Sequence, residues 1–392
     1  MFIDAMSVGL ILPVMPGLIG ELSSLSNSEA ARVSGELLTV FALMQFVCAP
    51  LLGALSDRFG RRNVILIAVF GLGIDYFIMA AAPSIFWLYV ARIISGVCGA
   101  TYAAANSAIV DISDPKERAR NFGYAGAAIG IGLIFGPAIG GLLGEYGTRL
   151  PFLVAGVLSM LIVTIGFFAL PETLPSEKRR AFSIARANPI GGVLSIARSR
   201  FVILMLAAMF MIQIASQSYT SVWPFFTIEV AGWSPFEIGI SVALYGVLLA
   251  IVQGGLTGPA VARFGERRMI VFGIVTGIAV YLGLSTARSA SEIYFWVAAG
   301  GLTGVTFPSI QALMSKMTSE DAQGELQGAI ASSYSLSCVI GPYVMTRIFS
   351  HFSGDNFNYP GAPFVLSSGL IIIAGAIFFA SLRTAPETKE AL

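Results

Sequence analysis

Gly53-Ala54-Leu55-Ser56-Asp57-Arg58-Phe59-Gly60-Arg61-Arg62 links two long apolar runs, and its framework returns 205 positions later as Gly258, Arg263, Phe264, Gly265 and Arg267. Gly136-Pro137 recurs as Gly341-Pro342 at the same displacement, and Pro171-Glu172-Thr173 recurs as Pro386-Glu387-Thr388 at 215. Recurrence of loop, kink and terminus in one order marks a duplicated unit. The copies differ at one position that carries chemistry: Ala262 stands where the first copy has Asp57.

Outward from this loop the chain consists of apolar stretches close to the ~20 residues that cross a bilayer as helix. Twelve such segments, numbered α1 to α12, are expected over residues 1–21, 35–56, 63–82, 85–110, 122–144, 151–170, 201–228, 237–261, 269–287, 292–315, 327–349 and 363–382. Of the 392 residues 56% are hydrophobic and 11% charged, against about 25% charged in soluble domains. Alternation at period two is not sustained, and backbone groups in lipid must be satisfied internally. The expected class is therefore an all-α membrane protein of twelve transmembrane helices in two six-helix repeats. Residues 1–170 would form the N-terminal bundle, the polar stretch 171–200 a cytoplasmic linker, and 201–392 the C-terminal bundle. Parallel repeats of this kind rock about a site near the midplane.

Of the 23 Lys and Arg, all but Arg32, Arg92, Arg149, Arg288 and Arg347 fall on one side of the predicted segments. Short basic loops stay in the cytoplasm, so both termini are expected there, in a multi-pass protein of a bacterial inner membrane. The 22 acids leave a net charge of +1, which offers no footprint for nucleic acid. One histidine (His351, expected to be exposed) and three scattered cysteines (Cys48, Cys98 and Cys338, expected to be free and buried) make neither a metal-ligand cluster nor a disulfide framework. With no nucleophile beside a base, catalysis is not expected. Met1 already stands inside the first apolar run, so α1 is expected to be clipped at its start.

The stretch 53–62 resembles the signature loop of the major facilitator superfamily, and Arg92 with Gly96 and Gly99 in α4 is similar to its second motif. Gly130, Gly132, Gly136, Pro137, Gly140 and Gly141 in α5 resemble the motif of exporters that exchange substrate for protons. Together with Asp4-Ala5-Met6, Pro13, Ala42-Leu43-Met44-Gln45 and Asp75-Tyr76, the pattern resembles the tetracycline/proton antiporters over nearly the whole chain. The resemblance implies a twelve-helix transporter that couples through acids in α1 and α3 near the α4 arginine. It further implies that Asp57 latches onto the start of α11, near Gly324 to Gln327, in the outward-open state, and that α5 meets α8, where Gly246, Gly254 and Gly255 offer a matching face.

The residues themselves carry part of this chemistry. Asp57 lies among Arg58, Arg61 and Arg62 behind Gly53 and Gly60, where its carboxylate can cap the positive end of a helix in the other half; a solvated basic turn is the alternative. Small residues such as Gly132, Gly136, Gly140 and Gly141 beside Pro137 let membrane helices approach closely, whether for sliding or for plain packing. Asp75 and Arg92 are each roughly 13 Å from the turn between α3 and α4 at about 1.5 Å per residue, hence level and able to pair. Asp4 falls in the cytoplasmic half of α1, too far by this count for direct contact with Arg92. Ionisable groups at such depth are costly, and Asp4 and Asp75 are the candidate proton carriers, with Arg92 tuning them. The acids Asp111 and Asp114 with Glu117 and Arg118 read as a solvated helix end, with coupling to the Asp57 loop as the alternative. Gln45, Tyr102, Asn106, Gln213, Gln217, Tyr245, Gln311 and Tyr334, with Gln253, are candidate contacts for a mostly apolar substrate; Trp223 reads as an interfacial anchor or a ligand contact.

The second half departs from the tetracycline exporters. Leu249 stands where α8 of that family carries a histidine, and Gly277 where α9 carries an acid, so α7 to α12 are expected to offer no buried titratable partner of that type. The expected function is proton-coupled efflux of drugs or drug-like, tetracycline-like molecules by alternating access, with the proton gradient as energy source, no cofactor or metal, and a monomer in lipid. A symporter or uniporter for a small metabolite is the alternative on the same fold, and a membrane receptor or enzyme the remote third.

Overall fold

The computed structural model describes residues 1–99, 102–114, 117–179, 199–319, 322–354 and 358–384, and among them finds twelve helical spans and no strand. Most of the linker and the Pro386-Glu387-Thr388 repeat lie outside the described residues, as do the side chains of Asp4 and Tyr102. The spans α2 (Asn27–Phe59), α3 (Arg61–Ala81), α5 (Arg118–Tyr146), α6 (Leu150–Ala169), α9 (Glu266–Thr286), α11 (Gln323–Phe352) and α12 (Ala362–Leu382) are single α-helices. Eleven of the twelve are long and apolar enough to cross a membrane; α11 is more polar but as long as its neighbours.

Four spans are interrupted among the described residues. α1 runs Phe2–Ile11 and Met15–Leu22 around a 3-10 turn at Leu12–Val14, where Pro13 withholds an N–H. α4 is described over Ile85–Gly99 and Tyr102–Ile112. α7 is Arg200–Ser221 followed by Trp223–Ala231, restarted at Pro224. α8 (Pro235–Ile251, then Thr257–Phe264) contains a π turn at Val252–Leu256, and α10 (Ala290–Gly300, then Thr306–Lys316) a 3-10 turn at Gly301–Val305. The Val252 carbonyl accepts both the Thr257 N–H and, at 2.8 Å, the Thr257 hydroxyl, which closes the π turn.

α2 begins at Asn27 rather than at 35, because Ser26 and Glu29 form a capping box that satisfies the first helical donors reciprocally. Ser234 and Glu237 start α8 in the same way. At both copies of the signature loop the chain turns on a glycine with positive φ, +96° at Gly60 and +80° at Gly265, a conformation that a β-carbon disfavours.

The duplication reappears in the packing. α1 against α5, α2 against α4 and α3 against α6 are matched by α7 against α11, α8 against α10 and α9 against α12. The halves meet through α2–α11 and α5–α8, a pair of contacts that exchange under the same repeat. Their polar links lie at the face away from the basic loops, here the far face. Asn27 Nδ2 donates to Phe225 O (3.0 Å) and Glu229 (2.7 Å), Phe236 N donates to Glu145 (3.1 Å), and Arg347 pairs with Glu36 at 3.4 Å. Toward the basic loops the helices part: Gly53, Gly123, Gly126, Gly130, Gly254, Gly255, Gly324 and Gly328 border open space. The molecule is thus closed at the far face and open at the basic face. Side chains such as Phe168, Ile67 and Phe86 cover its flanks with exposed apolar surface, as lipid contact requires.

Candidate functional site

α3 and α4 run antiparallel, and their depth brings Asp75 and Arg92 together. Arg92 Nη2 lies 2.9 Å from Asp75 Oδ2, with the acid wholly buried and the base nearly so. Nη2 also reaches Met79 Sδ at 2.8 Å, and the guanidinium sits 5.7 Å from the centre of the Phe41 ring of α2. Asp75 Oδ1 and Arg92 Nε make no hydrogen bond. A buried ion pair with two of its polar atoms unpartnered contributes little stability. The second half supplies the comparison: 205 positions on, the equivalents are Val280 and Val297, both buried, beside a Tyr76 that recurs as Tyr281. The same architecture therefore closes with two valines in place of the charges. Asp4 stands in the first turns of α1.

At the basic face Arg61 is the hub of the signature loop. It pairs with Asp57 (2.6 Å) and Asp111 (3.3 Å) and donates to Ser56 Oγ (2.8 Å), while its backbone N–H donates to Glu172 at 2.9 Å. Asp57 is thus held within its own half, not at α11, which agrees with a structure open at this face. Asp111 is exposed at its helix end yet coupled to the Asp57 loop: Arg61 and the Thr173 hydroxyl both engage it. Arg58 lies over the Phe59 ring, and Arg62 over Phe167, whose carbonyl accepts from its guanidinium. The repeat preserves the Arg61–Asp111 bridge with signs reversed, as Glu266–Lys316 at 2.5 Å. Arg61→Ala would leave Asp57 and Asp111 together without their cation. It is expected to cost about 1–3 kcal/mol, read as a lowered thermal midpoint that Arg61→Lys restores only in part. An unchanged midpoint would show that the hub is incidental.

The α5 glycines divide between two partners. Gly132, Gly136 and Gly140 face α1: a β-carbon on Gly136 would lie 2.6 Å from Met6 O, and one on Gly140 would strike Leu10 O. Gly141 faces α8, where it abuts Pro235; Pro137 turns its carbonyl to Gly239 of α8 but its ring to Gly9 of α1, and Gly144 lies between Val14 of α1 and Pro235 of α8. The expected matching face on α8 is also corrected. Gly246 touches Ile134, but Gly254 and Gly255, on the π turn, border open space.

Of the polar candidates, Gln213, Tyr245 and Tyr334 converge on a cavity of about 440 Å³ inside the second half, with Gln253 beside them. Gln45 instead ties α2 to α4 through Gly99 O (3.0 Å), and Gln311 bonds Gln327 (2.9 Å) near the basic end of α10. Asn106 is exposed on α4, and Gln217 is occupied by Thr220 (2.8 Å) and Cys338 Sγ (3.3 Å). Trp223 is neither an interfacial anchor nor a wall residue; it is buried and donates to Ser241 at 3.0 Å. Tyr219, Tyr281 and Thr303, which sequence reading passed over, line the cavity, as do Leu249 and Gly277. Cys48, Cys98 and Cys338 form no disulfide and are half-buried rather than buried, and His351 is exposed. No cluster of metal ligands occurs among the described residues.

The family model of the Major Facilitator Superfamily matches residues 1–299 and again 232–392. The class C tetracycline resistance protein of Escherichia coli is 38% identical over 95% of this chain and 92% of its own length, and the class G protein of Vibrio anguillarum 38% identical over 90% and 89%. Among solved structures, a bacterial homologue of the human lysosomal transporter Spinster, inward-facing and unoccupied, superposes with a TM-score of 0.81 at 18% identity over 98% of this chain and 95% of that one. Fold, repeat and relatives agree: the chain is a multi-pass membrane transporter, not an enzyme, and it belongs to the Major Facilitator Superfamily.

Proposed function

We propose that this transporter exports drugs or drug-like molecules, tetracycline-like compounds foremost, in exchange for protons by alternating access. The observation that carries the reading is the buried Asp75–Arg92 pair, charged where the second half has Val280 and Val297. A pair that the architecture does without is kept for what it can bind, and a carboxylate in a cavity that opens alternately to two compartments can take up a proton on one side and release it on the other. Asp4, nearer the basic face, is the second carrier, and Arg92 competes with the proton for Asp75. The tetracycline resistance relatives support the direction and the class of cargo. The gradient is the energy source, no cofactor takes part, and the unit is a monomer. By the bias of basic loops, the open face of this structure is cytoplasmic, as are both termini, in a bacterial inner membrane. Residues 171–200 then form a cytoplasmic linker between the bundles, and Asp57 leaves Arg61 for α11 when the basic face closes.

Everted membrane vesicles test the reading. Tetracycline is expected to accumulate inside them when their lumen is acidified, with protons leaving as it enters, and a protonophore is expected to abolish the accumulation. Protons moving in the same direction as cargo would establish the symport alternative, and accumulation indifferent to the gradient would exclude coupling.

A further inference from the structure

We propose that the cavity inside the second half binds an aromatic ring system that bears no net charge and arrives without a metal ion; its place in a transport cycle rests on the export reading above. No Asp, Glu, Lys, Arg or His lines it. A charged guest would surrender its hydration to walls that offer no counter-charge, and a metal chelate would find no anionic ligand. What the walls offer is aromatic surface and neutral hydrogen bonds. Tyr219 stacks on Tyr245 at 5.1 Å and 14° and meets Tyr281 at 5.6 Å, forming a slab suited to a planar guest.

Two polar atoms at this slab are buried without a partner. Gln213 is 4% exposed, and its Oε1 accepts from Ser333 at 2.9 Å, which leaves Nε2 as an unused donor. Tyr219 OH makes no hydrogen bond and lies 3.3 Å from where a β-carbon on Gly300 would stand. Buried donors are rarely left unpaired, so a guest carbonyl against Gln213 completes the set. The backbone gives an independent sign. The π turn of α8 and the 3-10 turn of α10 pack on one another at this cavity, where a β-carbon on Gly304 would lie 2.9 Å from Leu249 Cδ1 and 3.4 Å from Gln253 Cγ. Irregular helix at membrane depth persists where it lines a cavity, and π turns gather at functional sites. The volume of about 440 Å³ falls within the span of small-molecule pockets.

The test is equilibrium dialysis of the purified full-length protein against chloramphenicol, an uncharged nitroaromatic amide, and against tetraphenylphosphonium, a permanent aromatic cation. Chloramphenicol is expected to bind about tenfold tighter or better, with no change when a chelator is added. Gln213→Leu is expected to weaken it about tenfold and Tyr219→Phe about threefold. Tyr219→Phe removes one oxygen and keeps the stack, so the test survives a Gln213→Leu variant that fails to fold. Equal or tighter binding of the cation, no binding of chloramphenicol up to millimolar concentration, or indifference to Tyr219→Phe and to a folded Gln213→Leu would each overturn the proposal. Dialysis involves no gradient: these results with proton-driven export intact would sink the cavity assignment alone, and the expected binding without export would sink the export reading alone.

Discussion

Arg92→Leu alone is expected to destabilise the protein by about 3–5 kcal/mol, and adding Asp75→Leu is expected to recover most of that loss without recovering proton-driven export. The single change strands a carboxylate that is wholly buried with one polar partner gone. The double change reproduces the apolar closure that Val280 and Val297 already make in the second half. Thermal unfolding in detergent measures the first expectation and vesicle transport the second. Asp75→Asn is the sharper probe of coupling, because the amide keeps a polar partner for Arg92 but carries no exchangeable acid proton; gradient-driven accumulation is expected to fall to background. A double variant that folds and still exports against a gradient would remove Asp75 from the coupling scheme.

Gly239→Leu is expected to abolish transport by preventing closure of the far face. A β-carbon there runs into the Pro137 carbonyl, which cannot swing aside as a flexible side chain can. Glycine in a helix interior costs about 1 kcal/mol relative to alanine, so the substitution favours α8 itself while forbidding its approach to α5. The outcome is a folded protein held open at that face. With Cys48, Cys98 and Cys338 replaced by serine, a cysteine at Thr39, whose hydroxyl donates to Val339 O at 3.3 Å across the halves, reports the state. A membrane-impermeant maleimide is expected to label it from the far face several times faster in Gly239→Leu. Transport at the parent rate would show that this close approach is not part of the cycle.

The fold was legible because apolar length and a repeated loop are properties of the chain alone. The start of α2 was obscured by Glu29, Arg32 and Glu36, whose charges mask a helix that Ser26 and Glu29 nonetheless announce. The Asp75–Arg92 pair followed from counting residues back from one tight turn, since antiparallel neighbours at equal depth must meet. The α5 glycines were read as one patch, although the helical period divides them: 132, 136 and 140 share one face, and 137, 141 and 144 another. The cavity was half legible. Gln213 and Tyr334 stand out as polar side chains in apolar runs, but Tyr219 and Tyr281 carry no such signal until folding brings them together at the cavity, and Gln311 fails because residue type says nothing of depth.

Among the described residues the ion pair with both partners buried, Asp75–Arg92, lies in the first six helices, and a neutral, ring-lined space lies in the last six. If cargo binds at these walls and Asp75 carries the proton, as proposed, selection imposed by a new antibiotic reshapes the surface around Tyr219, Tyr245 and Tyr281 by ordinary apolar and amide substitutions, while the gear that draws on the membrane's acid difference stays untouched. On that reading, diversification of cargo and preservation of power supply fall on separate stretches of one gene, and recombination near the junction exchanges the one without rebuilding the other.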